Sequence, residues 1–217
     1  MRKKLIRFQE IESRENIING DNIDPALFKG KWRETFFKNT NPIVLELGCG
    51  RGEYTVGLAS EFPDKNFLGV DVKGDRIWFG STSAIEKGLK NVGFLRTQIQ
   101  LLEDFFEAGE ISEIWITFPD PRPKARDAKR RLTSPRFLKL YKKILSTEGV
   151  IHLKTDNTPL YEYTLEVLND FQAKVVAHTD DLYNSILVNE HLGIQTRFEK
   201  SFFEKGFNIK YLKFYFN

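Results

Sequence analysis

The sequence predicts one α/β domain, a mostly parallel seven-stranded sheet with helices on both faces, and three observations carry that expectation. Short β-rich runs alternate with stretches of helical period along most of the chain. A glycine-rich turn, Gly48-Cys49-Gly50-Arg51-Gly52, stands directly after an apolar run and before a helical one. The length, 217 residues, suits one continuous core.

Taken in order, Asp24-Pro25-Ala26-Leu27-Phe28 reads as an N-cap followed by proline at the first helical position. The first strand is expected at 43–47 (Ile-Val-Leu-Glu-Leu), followed by a helix over 53–61 that opens on Glu53. A second strand at 67–71 ends in Asp71, and a helix over 75–88 runs to Gly88. The third strand is placed at 92–95 and the next helix at 101–108. The fourth strand, 114–118, is stopped by Pro119, Pro121 and Pro123, which fix a stiff loop. A helix over 134–145, a strand at 150–154, a helix over 159–169 and strands at 174–178 and 209–216 complete the pattern. With no repeat or low-complexity linker, the division is an N-terminal extension, 1–40, and one domain, 41–217.

Hydrophobic residues make up 41% and charged residues 29%, the balance of a water-soluble globule. No apolar run approaches the roughly 20 residues of a bilayer span, and Met1-Arg2-Lys3-Lys4-Leu5-Ile6-Arg7 lacks the apolar stretch of a signal peptide, so a cytoplasmic location is expected. One cysteine excludes an intrachain disulfide, and with three scattered histidines it gives no zinc spacing, so no metal is expected. Cys49 has no neighbouring base and reads as small packing; His152, His178 and His191 receive no role. Net charge is only +3, yet ten basic residues face one acid between Arg122 and Lys143. That stripe suits a polyanion, because each neutralised phosphate releases counterions, although charge runs are also solvated helix faces.

Glycines at alternate positions let the main chain turn sharply and leave it open to a ligand, so Gly48, Gly50 and Gly52 are candidate cofactor contacts. A dinucleotide fingerprint would need glycine at 53, where Glu53 instead sets a carboxylate at the positive helix end and repels phosphate. S-adenosylmethionine carries a sulfonium and an α-ammonium but no phosphate, so the acid Glu46 helps it. Asp71, closing the second strand, can accept both ribose hydroxyl protons. On the opposite side, the proline-rich loop holds Asp120 where the methyl group is expected. Asp120-Pro121-Arg122-Pro123 lacks the Asp-Pro-Pro-aromatic arrangement of exocyclic-amine methyltransferases. Asp156, in Lys154-Thr155-Asp156-Asn157, can accept two protons from the N1 and N2 groups of guanine, which adenine does not offer. Thr196-Arg197-Phe198-Glu199 combines hydroxyl, cation, ring and acid; alone it also reads as surface loop.

Together these residues resemble the bacterial tRNA (guanine-N7)-methyltransferase family (TrmB). The resemblance covers about 43–199 and rests on Glu46-Leu47-Gly48-Cys49-Gly50-Arg51-Gly52, Phe118-Pro119-Asp120-Pro121, Lys129-Arg130-Arg131-Leu132, Lys154-Thr155-Asp156-Asn157 and Thr196-Arg197-Phe198-Glu199. It implies a Rossmann-like class I fold, S-adenosylmethionine as donor, and a guanine in the variable loop of tRNA as acceptor. By the same resemblance Glu46, Asp71 and Asp120 line the donor pocket, while Lys124, Asp156, Thr196 and Glu199, with Arg197 and Phe198 beside them, face the guanosine. Asp120 and Asp156 take the catalytic roles, and the extension 1–40 is expected to contact RNA or to be partly disordered. The chain departs from the family in two places. Arg122 stands where tryptophan usually follows Phe-Pro-Asp-Pro, and Gln98 replaces the usual aspartate or asparagine after the third strand; its amide still suits adenine. Another RNA base, a small-molecule acceptor and a non-catalytic RNA-binding module are the alternatives, with the assembly a monomer or homodimer.

Overall fold

The structure is a computed structural model that describes residues 2–217. Helix α1 (Arg2–Glu10) and the short strand β1 (Ile17–Asn19) come first, then β2 (Ile43–Leu47), α2 (Glu53–Glu61), β3 (Asn66–Asp71), α3 (Gly74–Glu86), β4 (Val92–Arg96) and α4 (Leu102–Phe105). The second half holds β5 (Ile111–Thr117), α5 (Pro135–Ile144), β6 (Leu145–Thr155), α6 (Thr158–Asp170), β7 (Lys174–Thr179), α7 (Arg197–Glu204) and β8 (Lys210–Tyr215).

The strands form one sheet in the order β1-β4-β3-β2-β5-β6-β8-β7. Every pairing is parallel except those of β8, which runs antiparallel between β6 and β7. All seven expected strands are present, and the eighth is β1, paired with Phe94–Arg96 at the edge. Three residues are too few to show a period, which is why the sequence pattern passes over them. The helix expected over 101–108 shrinks to a 3-10 turn at Ile99–Leu101 and the four residues of α4. Phe105 and Phe106 are both buried there, and the chain goes extended at Phe106 to bring the second ring inward. Asp24-Pro25 opens a single 3-10 turn, Pro25–Leu27, with the Asp24 carboxylate accepting from the Ala26 amide at 3.0 Å.

Every residue of β2 is buried, as a central strand covered on both faces requires. One face packs Leu45, Leu68, Ile114 and Leu138 together; the other packs Val44, Tyr54, Ile77 and Trp115. The segment ahead of β2 belongs to the first of these layers: Trp32 is fully buried, donates its indole N–H to the Phe105 carbonyl at 2.8 Å and stacks on Phe106. Truncating so large a buried ring costs about 3 to 5 kcal/mol. Further upstream, the Arg14 guanidinium ties the chain to α3 through the hydroxyls of Ser81 and Thr82 at 2.9 and 2.8 Å.

Strands β2 and β5 lie side by side, yet β2 leads on to its neighbour β3 and β5 to its neighbour β6 on the other side. The order therefore reverses between them, and a crevice opens beyond their carboxyl ends. Among the described residues no helix is long and apolar enough to cross a membrane.

Candidate active site

The turn after β2 forms one wall. Gly48, Gly50 and Gly52 all take left-handed φ values, +74°, +55° and +69°. At Gly48 and Gly50 an added Cβ would meet nothing nearer than 3.9 Å and 4.0 Å, so conformation demands glycine and bare main chain faces the crevice. Gly52 answers a different need: a Cβ there would lie 2.6 Å from the Phe94 ring and 3.1 Å from the Gly80 Cα. That glycine lets α2 close on α3 and the sheet.

Two acids fix this wall. The Asp71 carboxylate accepts from the Gly50 amide with one oxygen and from the Lys73 amide with the other, both at 2.9 Å, joining the turns after β2 and β3. Each oxygen keeps a lone pair for a ligand hydroxyl. Glu46 lies buried beneath the turn. It accepts from the Thr117 hydroxyl at 2.6 Å, from the Thr55 amide at 2.8 Å and from the Thr55 hydroxyl, clamping β2 to β5 and to the start of α2. Burial pushes its carboxyl up to about 7, against the pull of the threonine hydrogen bonds.

The facing wall is built from loops. After β5 the chain passes through left-handed φ at two non-glycine residues, Phe118 (+49°) and Arg122 (+47°), a strained path around Asp120. The exposed Asp120 carboxylate accepts from the Arg122 amide at 3.1 Å and pairs with the Arg122 Nε at 3.1 Å. Arg131 braces the loop from behind, donating to the Pro121 and Arg122 carbonyls at 3.2 and 3.3 Å while its guanidinium lies over the Tyr163 ring. Asp156 follows β6 and is half-buried, which raises its carboxyl above the usual range. Thr196 caps α7, its hydroxyl accepting from the Glu199 amide at 3.1 Å, and α7 presents Phe198 and Phe202.

These walls enclose a cleft of about 560 Å3, within the usual range for small-molecule and cofactor sites. Of the residues expected to act, Gly48, Gly50, Asp120, Asp156, Thr196 and Phe198 line it together. Glu46 and Gly52 support it from below, and Asp71 stands behind Gly50. Gln98 opens instead into a separate recess with Asp21, Val72, Arg96 and Thr97. Lys124 and Arg197 are exposed and lie outside the lining. Glu199 faces inward, fully buried, with one oxygen 2.6 Å from the Lys154 ammonium. The lining adds residues to which the sequence reading gave no role, among them Lys73, Arg76, Leu132 and Phe202. Lys73 and Arg76 follow Asp71 at the strand-to-helix junction, a position that signals them; Leu132 closes the Lys129-Arg130-Arg131-Leu132 motif, and Phe202 carries no local signal.

The basic stripe divides on folding. Arg122 and Arg130 line the cleft and Arg131 is a strut. Arg136, Lys139, Lys142 and Lys143 ride the solvent face of α5, whose other face buries Phe137, Leu138 and Tyr141.

Residues 40–212 match the family described as "Putative methyltransferase". A tRNA (guanine-N(7)-)-methyltransferase of Cytophaga hutchinsonii is 49% identical, the alignment covering 99% of this chain and 98% of that one. Its counterpart in Porphyromonas gingivalis is 53% identical over 86% of this chain and 76% of that one. A crystal structure of the 16S rRNA methyltransferase KamB superposes with a TM-score of 0.67 at 14% identity, covering 88% of this chain and 94% of that one, a likeness of fold. A SAM-dependent methyltransferase from Aquifex aeolicus follows at a TM-score of 0.54 and 15% identity, over 95% and 97% of the two chains. Near-complete alignment at about half identity goes beyond shared architecture, and the chain belongs to the tRNA (guanine-N(7)-)-methyltransferase family.

Proposed function

We propose that the protein transfers a methyl group from S-adenosylmethionine to N7 of a guanine in the variable loop of tRNA, acting in the cytoplasm. The observation that carries this reading is the meeting of Asp120, Asp156 and Thr196, from three separate chain segments, across one cleft from bare glycine main chain. The donor fits this cleft by shape and by the placement of single acids, in a lining that also carries Arg51, Lys73, Arg76, Arg122 and Arg130. Gly48 and Gly50 leave open space that side chains would fill, Asp71 offers lone pairs to ribose hydroxyls, and Glu53 in the first turn of α2 disfavours a diphosphate.

The donor supplies an electrophilic methyl on a sulfonium: the N7–methyl bond forms as the carbon–sulfur bond breaks, and the electron pair leaves with sulfur. Guanine N7 offers an in-plane lone pair and carries no proton, so the protein needs no general base. Its task is alignment, which supplies about 7 to 11 kcal/mol when nucleophile and electrophile are held in near-attack geometry. Asp156 accepts hydrogen bonds from the Watson–Crick edge of the base, fixing which base enters. Asp120 and Asp156 then stabilise the positive charge that develops on the ring. Arg122, Arg130 and the exposed Lys124 meet the phosphates on either side.

Incubation with labelled donor and unmodified tRNA, followed by mass spectrometry of the nucleosides, tests the reading. N7-methylguanosine at one site in the variable loop is the expected product. Methylation of an exocyclic amine, or of a small molecule in the absence of RNA, would overturn it.

A further inference from the structure

Helix α7 brings Thr196, Phe198 and Phe202 to the cleft, yet its one buried residue is Glu199. An amphipathic helix normally holds its place by apolar burial. Here Phe202 packs against the core and the Phe118 ring, but the residue buried deepest is a charge. Glu199 and Lys154 are both fully buried, and the Lys154 ammonium lies 2.6 Å from Glu199 Oε1. The Tyr183 hydroxyl donates to that same oxygen at 2.9 Å, and the Gln195 amide donates to the Tyr183 hydroxyl at 2.6 Å. On its other side the ammonium lies over the Tyr54 ring, 4.9 Å from its centre. Lys154 stands two residues before Asp156 on β6, and Glu199 three residues after Thr196, so the pair joins two acceptor-side segments at their roots.

We propose that Lys154 is a positioning residue for the acceptor base: through Glu199 it fixes α7, and with it Thr196 and Phe198, across the cleft from the glycine turn. The proposal rests on the tRNA-methylating reading above, and it gives Glu199 a different task from direct contact with the guanosine. A buried ion pair is costly to break from one side, because the remaining charge loses its counterion and gains no water in return. Loss of either member should therefore release α7, and loss of both should restore most of its placement.

The test compares Lys154→Met, Glu199→Gln and the double variant, assayed well below the lowest melting temperature, with folding confirmed by circular dichroism. Each single variant is expected to lower kcat/KM for tRNA by about 100-fold, the size of effect a buried charge without its counterion produces, while donor Kd by calorimetry stays within about twofold. The double variant should recover to within about tenfold of wild type. If Glu199→Gln and the double variant are equally inactive while Lys154→Met is near wild type, the carboxylate meets the base itself and the proposal fails. Parallel loss of donor affinity and tRNA turnover would reduce the pair to general stability and also overturn it. Wild-type protein that leaves tRNA unmethylated would strike the functional reading first, a result distinct from failed rescue among active variants.

Discussion

On the proposed reading the two walls of the cleft, one for the donor and one for the acceptor, hold a small reactive group in place by different means. The donor wall is main chain: three left-handed glycines within five residues, locked by Asp71 and Glu46 through short-range hydrogen bonds to backbone and threonines. The wall assigned to the acceptor is side chain: a strained loop braced by Arg131, a half-buried aspartate and a helix held by a buried ion pair and the packing of Phe202. Donor binding should therefore respond to substitutions that disturb packing or backbone conformation. Acceptor binding should respond to substitutions of charge, and to salt.

The largest effect expected on the donor wall comes from Gly52→Val. The new side chain would meet the buried Phe94 ring and the Gly80 backbone while forcing a β-branched residue into left-handed φ. Overpacking and backbone strain together cost about 4 kcal/mol, and the melting temperature should fall by roughly 10 °C or more with loss of donor binding. Unchanged melting and donor affinity would show that the turn can relax, and the contrast between the walls would lose its main support.

Glu46 tests the same wall through protons. Its carboxyl sits at about 7 when folded, against 4.5 as the ordinary value, so the folded protein holds the proton over a range where the unfolded chain has released it. A raised folded value means this stability is complete below 4.5 and is lost as pH rises through about 7, roughly 3 kcal/mol in all. Glu46→Gln keeps the hydrogen-bonding shape without the titration. Thermal melts of the two proteins at pH 5 and pH 8 should show the wild type losing more stability over the interval than the variant. Parallel pH profiles would place the titration elsewhere.

What the sequence made legible follows the same division. The donor wall lies within Glu46–Asp71, where strand, turn, helix and strand follow in order and each glycine or acid falls at a diagnostic offset. The acceptor wall assembles from positions near 120, 156 and 196, and no local pattern says that these segments meet; resemblance supplied that link. Glu199 shows the limit well. Thr196-Arg197-Phe198-Glu199 carries the Thr-x-x-Glu spacing of a helix N-terminus, a signal that would have replaced the surface-loop reading with α7. Its burial against Lys154 depends on β6 and α7 packing together, which the spacing leaves open. Gln98 is the converse case: its offset after a strand is plain in the sequence, while the recess it joins depends on Asp21 arriving from the distant N-terminal segment.

On the acceptor wall, Asp156→Ala should lower kcat/KM for tRNA by about 100-fold, or roughly 2.7 kcal/mol of lost alignment and charge stabilisation, while donor affinity by calorimetry is unchanged. Equal loss of donor binding would contradict the separation of the two walls.

The smallest effect concerns phosphate contacts, and it separates the cleft from the rest of the basic stripe. With about four contacts, the logarithm of tRNA affinity should fall against the logarithm of salt with a slope near −3, using about −0.7 per contact for single-stranded RNA. Arg130 lines the cleft, its guanidinium 3.3 Å from Asp127, whereas Lys143 and Lys142 lie away from it on α5, the first paired with Glu103 at 2.7 Å and the second donating to the Asn217 carbonyl at 2.9 Å. Arg130→Ala should therefore flatten the slope by about 0.7, a change of only a few-fold in affinity at moderate salt, and Lys142→Ala should leave it as it was. Equal flattening by both would extend the grip onto the solvent face of α5, and the acceptor wall would then be a surface wider than the cleft it borders.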